Sequence, residues 1–219
     1  MSLPKRALAL TALMVLGAFA AVGYALHNMQ PMHDYRFGVL LALSLLTARL
    51  KVTLPGLTGS MCVNLPFLLI AASQLSLLEA LLVALPSCAF QCLPKGGGKP
   101  NPVQMIFNIS VMGVAVALAS LIGPHFAVLG AAGFFLAQTV LVASIIGFTE
   151  GGAIHRIWCS IANYSFPFYV LSAGITSIAI SSITQFAWQV PLLGLPVLYA
   201  IYRSYKSYFR GPGEETANA

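Results

Sequence analysis

Apolar runs separated by short stretches rich in Pro, Gly and polar residues repeat along the whole chain, at 7–26, 37–48, 64–74, 76–93, 103–123, 127–148, 157–184 and 189–207. The first is about 20 residues long, enough for a helix to cross a hydrocarbon core of about 30 Å at about 1.5 Å per residue. The pattern predicts an all-α protein, a polytopic transmembrane helix bundle of about eight segments. One domain covers 1–210, and 211–219 is expected to be a short, disordered cytoplasmic tail. Lys5 and Arg6 precede the first run, which contains Ala18-Phe19-Ala20, so a cleavable signal peptide is one reading and a retained helix the simpler one.

The segment count turns on 64–93. As one helix it would be about 45 Å long, too long for a simple span. Ser76-Leu77-Leu78-Glu79 has the capping-box pattern, in which a Ser hydroxyl and a Glu carboxylate satisfy the free amides of a new helix, so a second helix starts near Ser76. Segment 64–74 is only about 16 Å as a helix. The pair forms either two short tilted spans or a re-entrant hairpin inside the protein, and the two-crossing form is preferred. The next helix has its own start: Asn101 caps, Pro102 takes the first position and Gln104 lies three residues beyond the cap. In 157–184, Asn163, Pro167 and Gly174 predict a kink, and Ser172, Ala173, Gly174, Ser177 and Ala179 a face for close helix contact.

Charge orients the bundle. With eight crossings and the N-terminus inside, Lys5, Arg6, Arg49, Lys51, Lys95, Lys99, Arg156, Arg203, Lys206 and Arg210 are all cytoplasmic, and only Arg36 lies outside. Merging 64–93 into one span would send Lys95, Lys99 and the basic C-terminus out, against the positive-inside tendency. The expected location is the bacterial cytoplasmic (inner) membrane, multi-pass, with both termini cytoplasmic. The composition, 58% hydrophobic and 7% charged with a mean hydropathy of +0.87, excludes an ordinary soluble domain. The net charge of +6 therefore reads as topology, and no nucleic-acid partner is expected. Cys62, Cys88, Cys92 and Cys159 lie in or beside apolar runs, as small buried hydrophobes do. Two thiols at Cys88 and Cys92 without nearby His make half a metal site, so neither metal nor other cofactor is expected.

Three stretches carry a resemblance: Arg49-Leu50-Lys51-Val52-Thr53-Leu54-Pro55-Gly56-Leu57-Thr58-Gly59-Ser60-Met61 with Val63-Asn64, Glu79-Ala80-Leu81-Leu82 running to Gln91-Cys92-Leu93, and Pro102-Val103-Gln104 with Phe107-Asn108. Together they resemble the N-terminal multi-span membrane module of bacterial signalling proteins that carry cytoplasmic HD-GYP phosphodiesterase or GGDEF cyclase domains. Pro196-Val197-Leu198-Tyr199 with Tyr202-Arg203-Ser204-Tyr205 looks like that module's last helix, where it feeds the catalytic domain. Here the sequence runs on only through Gly211-Pro212-Gly213-Glu214-Glu215 to its end, with no HD pair and no GG(D/E)EF run, so no enzymatic activity is expected. In helix lengths and the broken pair the chain is also similar, more loosely, to the substrate-binding S components of energy-coupling-factor vitamin importers.

Polar residues at membrane depth are costly and mark candidate sites. Asn64, Glu79, Gln91, Gln104 and Asn108 come from three neighbouring segments and are candidates for one ligand pocket. Each has a structural alternative: helix capping for Glu79 and Gln104, an interhelical hydrogen bond for Asn108, the cytoplasmic interface for Gln91. The irregular loop 53–60, with Thr58, Gly59 and Ser60, is either a plain turn or an inward-folding lid or nest of backbone amides. Tyr202, Arg203, Tyr205 and Lys206 form an interfacial anchor, rings at headgroup depth and basic tips toward phosphate. The expected function is a non-enzymatic sensory or scaffolding membrane module. Its expected partners are the lipid bilayer, membrane or cytoplasmic protein subunits and a small-molecule ligand. The alternative is a small-molecule binding or transport subunit like an S component.

Overall fold

The computed structural model describes residues 4–31, 34–53, 60–93, 101–123, 126–181, 199–200 and 203. Among the described residues up to 181, seven helices and one small hairpin follow in order: α1 (Lys5–His27), α2 (Asp34–Ala48), β1 (Lys51–Thr53), β2 (Ser60–Cys62), α3 (Leu65–Gln74), α4 (Leu77–Cys92), α5 (Pro102–Ile122), α6 (Ala127–Glu150) and α7 (Ile154–Ser181). Of the eighth predicted segment only 199–200 and 203 are described, all helical, and the 211–219 tail lies outside the described residues.

Large apolar side chains cover the outside of the bundle as well as filling its core. Phe19 is 72% exposed and Leu16 66%, and Leu121, Val128, Leu129, Phe166 and Ile178 also face outward. Ser87, Thr139, Ser172 and Thr176 are buried instead. Large apolar faces that water would reject are compatible with a lipid solvent. Among the described residues, α1, α5 and α6 are long and apolar enough to cross a membrane, whereas α2, α3 and α4 are apolar but shorter. The chain is thus a helical membrane protein with three clear candidate spans.

At the centre stands α3. Leu65 through Ala72 are all buried, so this ten-residue helix has no solvent or lipid face. A helix apolar all round belongs in a core. It packs against α2, α4, α5, α6 and α7, which form an arc of successive neighbours, while α1 lies against α5. Backbone approach at the α1–α5 seam is close: a Cβ on Gly17 would sit 3.1 Å from Val114, and one on Gly113 would sit 3.4 Å from Ala18.

The predicted break is present. Ser76 is the N-cap of α4, its Oγ accepting from the Glu79 N–H at 3.4 Å, while the Ser76 N–H and Oγ donate to Glu79 Oε2 at 2.9 and 2.7 Å. α3 and α4 form a helical hairpin. The far end of α4 returns to the level where α3 begins, because Phe90 lies under the Arg49 guanidinium at 4.6 Å and Leu50 O accepts from Val63 N–H at 3.3 Å. Two crossings and a re-entrant hairpin both bring the chain back to its starting side, so the positions of the basic residues do not choose between them. At ten residues α3 is about 15 Å long, half of a 30 Å hydrocarbon core.

Other elements refine the sequence reading. Asn101 caps α5, its Oδ1 accepting from Val103 and Gln104 N–H at 3.1 and 3.4 Å. Positions 51–62, expected to be irregular from Thr53 onward, include an antiparallel ladder pairing Lys51 with Cys62, Val52 with Met61 and Thr53 with Ser60. α7 runs unbroken through Pro167. Of its small residues, Ser172 and Ala179 pack inward, but Gly174 faces outward with open space around it. Aromatic contacts close α6 on α7: the Phe135 ring meets Tyr169 edge-on at 4.8 Å and Phe166 at 5.9 Å, and Trp158 Nε1 donates to Thr139 Oγ1 at 3.1 Å.

Candidate functional site

The two ends of α3 have different chemistry. At its C-terminal end, Ser73 meets Gly123, where a Cβ would lie 2.8 Å from the Ser73 Oγ, and the α4 capping box follows directly. Glu79 is fully buried there and its carboxylate is engaged by Ser76. A buried polar group needs such hydrogen bonds, and capping explains Glu79.

At its N-terminal end stands Asn64, 2% exposed. As the residue before Leu65 it is positioned to cap α3, but its backbone is helical, with φ −76° and ψ −4°, rather than extended as a capping residue usually is. No side chain caps the helix. The Asn64 carbonyl accepts from Phe67 and Leu68 N–H at 3.1 and 3.2 Å, and Pro66 has no N–H to offer. The buried Nδ2 of Asn64 has no hydrogen-bond partner.

The five predicted pocket residues therefore do not gather at one place. Asn64 and Glu79 are separated by the length of α3, about 15 Å. Asn108 and the α4 terminus do meet: Asn108 Nδ2 donates to Cys92 Sγ at 3.8 Å, a weak interhelical bond next to Gln91, whose buried Oε1 has no partner. Gln104 is exposed in the first turn of α5. In the loop, Ser60 pairs with Thr53 in β2, and Thr58 and Gly59 lie outside the described residues. Of the anchor, Arg203 is exposed, and Tyr202, Tyr205 and Lys206 lie outside the described residues.

Several features escape a reading of the sequence alone. Arg49 stacks on Phe90, which pins the end of α2 to the end of α4. Most buried hydroxyls are satisfied on their own helix, as Ser165, Ser172 and Thr176 are by carbonyls four residues back at 2.7, 2.7 and 2.8 Å. Ser44 Oγ, Ser120 Oγ and Gln138 Oε1, by contrast, are buried without partners. Their residue types carry no sequence signal that separates the two groups. Among the described residues, no three His, Cys, Asp or Glu side chains cluster as metal ligands. No protein-family model, no curated protein and no solved structure matches the chain.

Proposed function

We propose that the chain is a non-enzymatic sensory or scaffolding module of a bacterial inner membrane, acting through partner subunits. The observation that supports this reading is the position of α3. It is buried on every face, joined at one end to the β1–β2 hairpin through Val63 and Leu50, and wedged at the other against Gly123 between α5 and α6. A shift of α3 along its axis would be felt at both ends of the bundle, because close-packed interiors transmit displacement rather than absorb it. In this reading both termini are cytoplasmic and α3–α4 starts from and returns to the cytoplasmic side. The short α3 supports a re-entrant pair, with the other predicted segments crossing.

The test is purification in mild detergent from native membranes followed by mass spectrometry. Co-purification of a protein with a cytoplasmic catalytic domain is expected. An ATPase pair with a bound vitamin-like molecule would replace this reading with a transport subunit resembling an S component. The unpartnered, buried Asn64 is the observation that favours that second reading.

A further inference from the structure

We propose that Arg49, stacked on Phe90, binds the phosphate headgroup of an anionic phospholipid whose chains lie along the outward stripes of α2 and α4. The site rests on the membrane location of the bundle and on neither the sensory nor the transport reading. The Arg49 guanidinium carbon lies 4.6 Å from the centre of the Phe90 ring. Such a ring covers one face of the planar guanidinium and leaves the N–H groups at its edge for another partner. Arg49 is exposed, and among the described residues it makes no hydrogen bond or ion pair. The closing carbonyls of α2 and α4, the ordinary partners of a basic side chain at a helix C-terminus, are therefore not its acceptors.

Charge points the same way. Neither 35–78 nor 80–149 contains an Asp or Glu, while Lys51, Lys95 and Lys99 follow the ends of α2 and α4 in the sequence. A guanidinium with no carboxylate of its own is matched by an oxyanion from outside the chain, and its forked donors fit two oxygens of a phosphate. Below it runs an apolar track. α2 and α4 pack together, and their outward positions are Ala42 and Leu46 on one and Leu82, Pro86 and Phe90 on the other. Leu46 is 73% exposed and Leu82 41%. Leu82 lies two turns before Phe90, about 12 Å away along the axis at about 1.5 Å per residue. The two stripes meet where Arg49 crosses onto Phe90, so a phospholipid can use the charged end and the track together, whereas a soluble anion uses only the end. Arg36 differs: it lies 5.7 Å over the ring of its own neighbour Tyr35, and its Nε donates to that hydroxyl at 3.0 Å, so it bridges no pair of helices.

The test is thermal unfolding of the delipidated full chain in neutral detergent micelles doped with phosphatidylglycerol, or with phosphatidylcholine carrying the same chains. Phosphatidylglycerol is expected to stabilise saturably, with half-saturation at least about fivefold lower than for phosphatidylcholine. Arg49→Gln should abolish that preference, Phe90→Leu should weaken it with the charge intact, and Arg36→Gln should leave it unchanged. Equal losses in Arg49→Gln and Arg36→Gln would reduce the preference to net charge and overturn the site. Glycerol phosphate, the same headgroup chemistry without chains, should give no shift over the same range; a shift matching that of the lipid would mark a soluble anion and overturn the lipid assignment. Equal stabilisation of the wild type by both lipids overturns the site while leaving the membrane location intact. If Arg49→Gln fails to fold, photo-crosslinking of the wild type with phosphatidylglycerol bearing a diazirine in its chains decides. Label concentrated on the peptides holding Leu46 and Leu82 supports the site, and label spread evenly over the outward faces of α1, α6 and α7 overturns it.

Discussion

Single residues are where the broken helix is decided. Ser76 and Glu79 satisfy each other's groups reciprocally, so Ser76→Ala should cost about 1 kcal/mol in unfolding experiments in detergent. Glu79→Ala should cost more, because it also empties a fully buried position. Asn64→Ala and Glu79→Gln probe whether the two ends share anything. At a separation of about 15 Å their effects should add within about 0.5 kcal/mol. A larger coupling would mean that the two side chains belong to one pocket after all. Glycine is required for different reasons at two turns. Gly151 ends α6 with φ +79°, a left-handed conformation that resists any side chain. Gly130 has an ordinary helical position, but a Cβ on it would lie 2.8 Å from Gly123 Cα, backbone that cannot move aside. Gly130→Ala should therefore lower the unfolding temperature by loosening the α5–α6 turn.

At the scale of elements, α3 departs furthest from its sequence-level description. The run 64–74 is as apolar as its neighbours, and no period in it reveals whether its faces meet lipid or protein. Its length is the informative part, since about 15 Å cannot cross alone. Burial on all sides makes it the most sensitive element: Phe67→Ala, at a fully buried position, should cost about 3–5 kcal/mol. An outward-facing substitution such as Leu16→Ala on α1 removes a side chain from no protein contact of comparable depth and should cost far less. Both are measured by the loss of folded, monodisperse protein on heating in detergent. The opening helix raises a related question. α1 packs along α5 through Gly17, Ala18 and Gly113, and Met14 joins Phe107 and Val111 in a small core cluster. Intact-mass measurement of the purified protein should find α1 retained, because its removal would strip those contacts from α5.

Over the whole molecule, topology makes the sharpest claim. A reporter fused after Ala219 should be active in the cytoplasm, since Arg203, Lys206 and Arg210 cluster at the C-terminal end of the last apolar run. A second reporter inserted at residue 97, between Lys95 and Lys99, should give the same side, because the α3–α4 hairpin returns the chain to where it entered. Activity of either reporter on the opposite side overturns the proposed orientation. The sequence by itself determined the helical class, the lipid solvent, the start of α4 at Ser76 and the start of α5 at Asn101. Those properties are local: they follow from apolar content over a helix length and from caps that bond within four residues of themselves. Only the tertiary structure decided that α3 is a core helix, that Asn64 and Glu79 lie at opposite ends of it, that Lys51–Thr53 pairs with Ser60–Cys62, and that Arg49 meets Phe90. In a chain where lipid-facing and protein-facing positions are equally apolar, hydrophobicity cannot say which face is inside. Helix packing settles that question, through contacts between residues far apart in sequence.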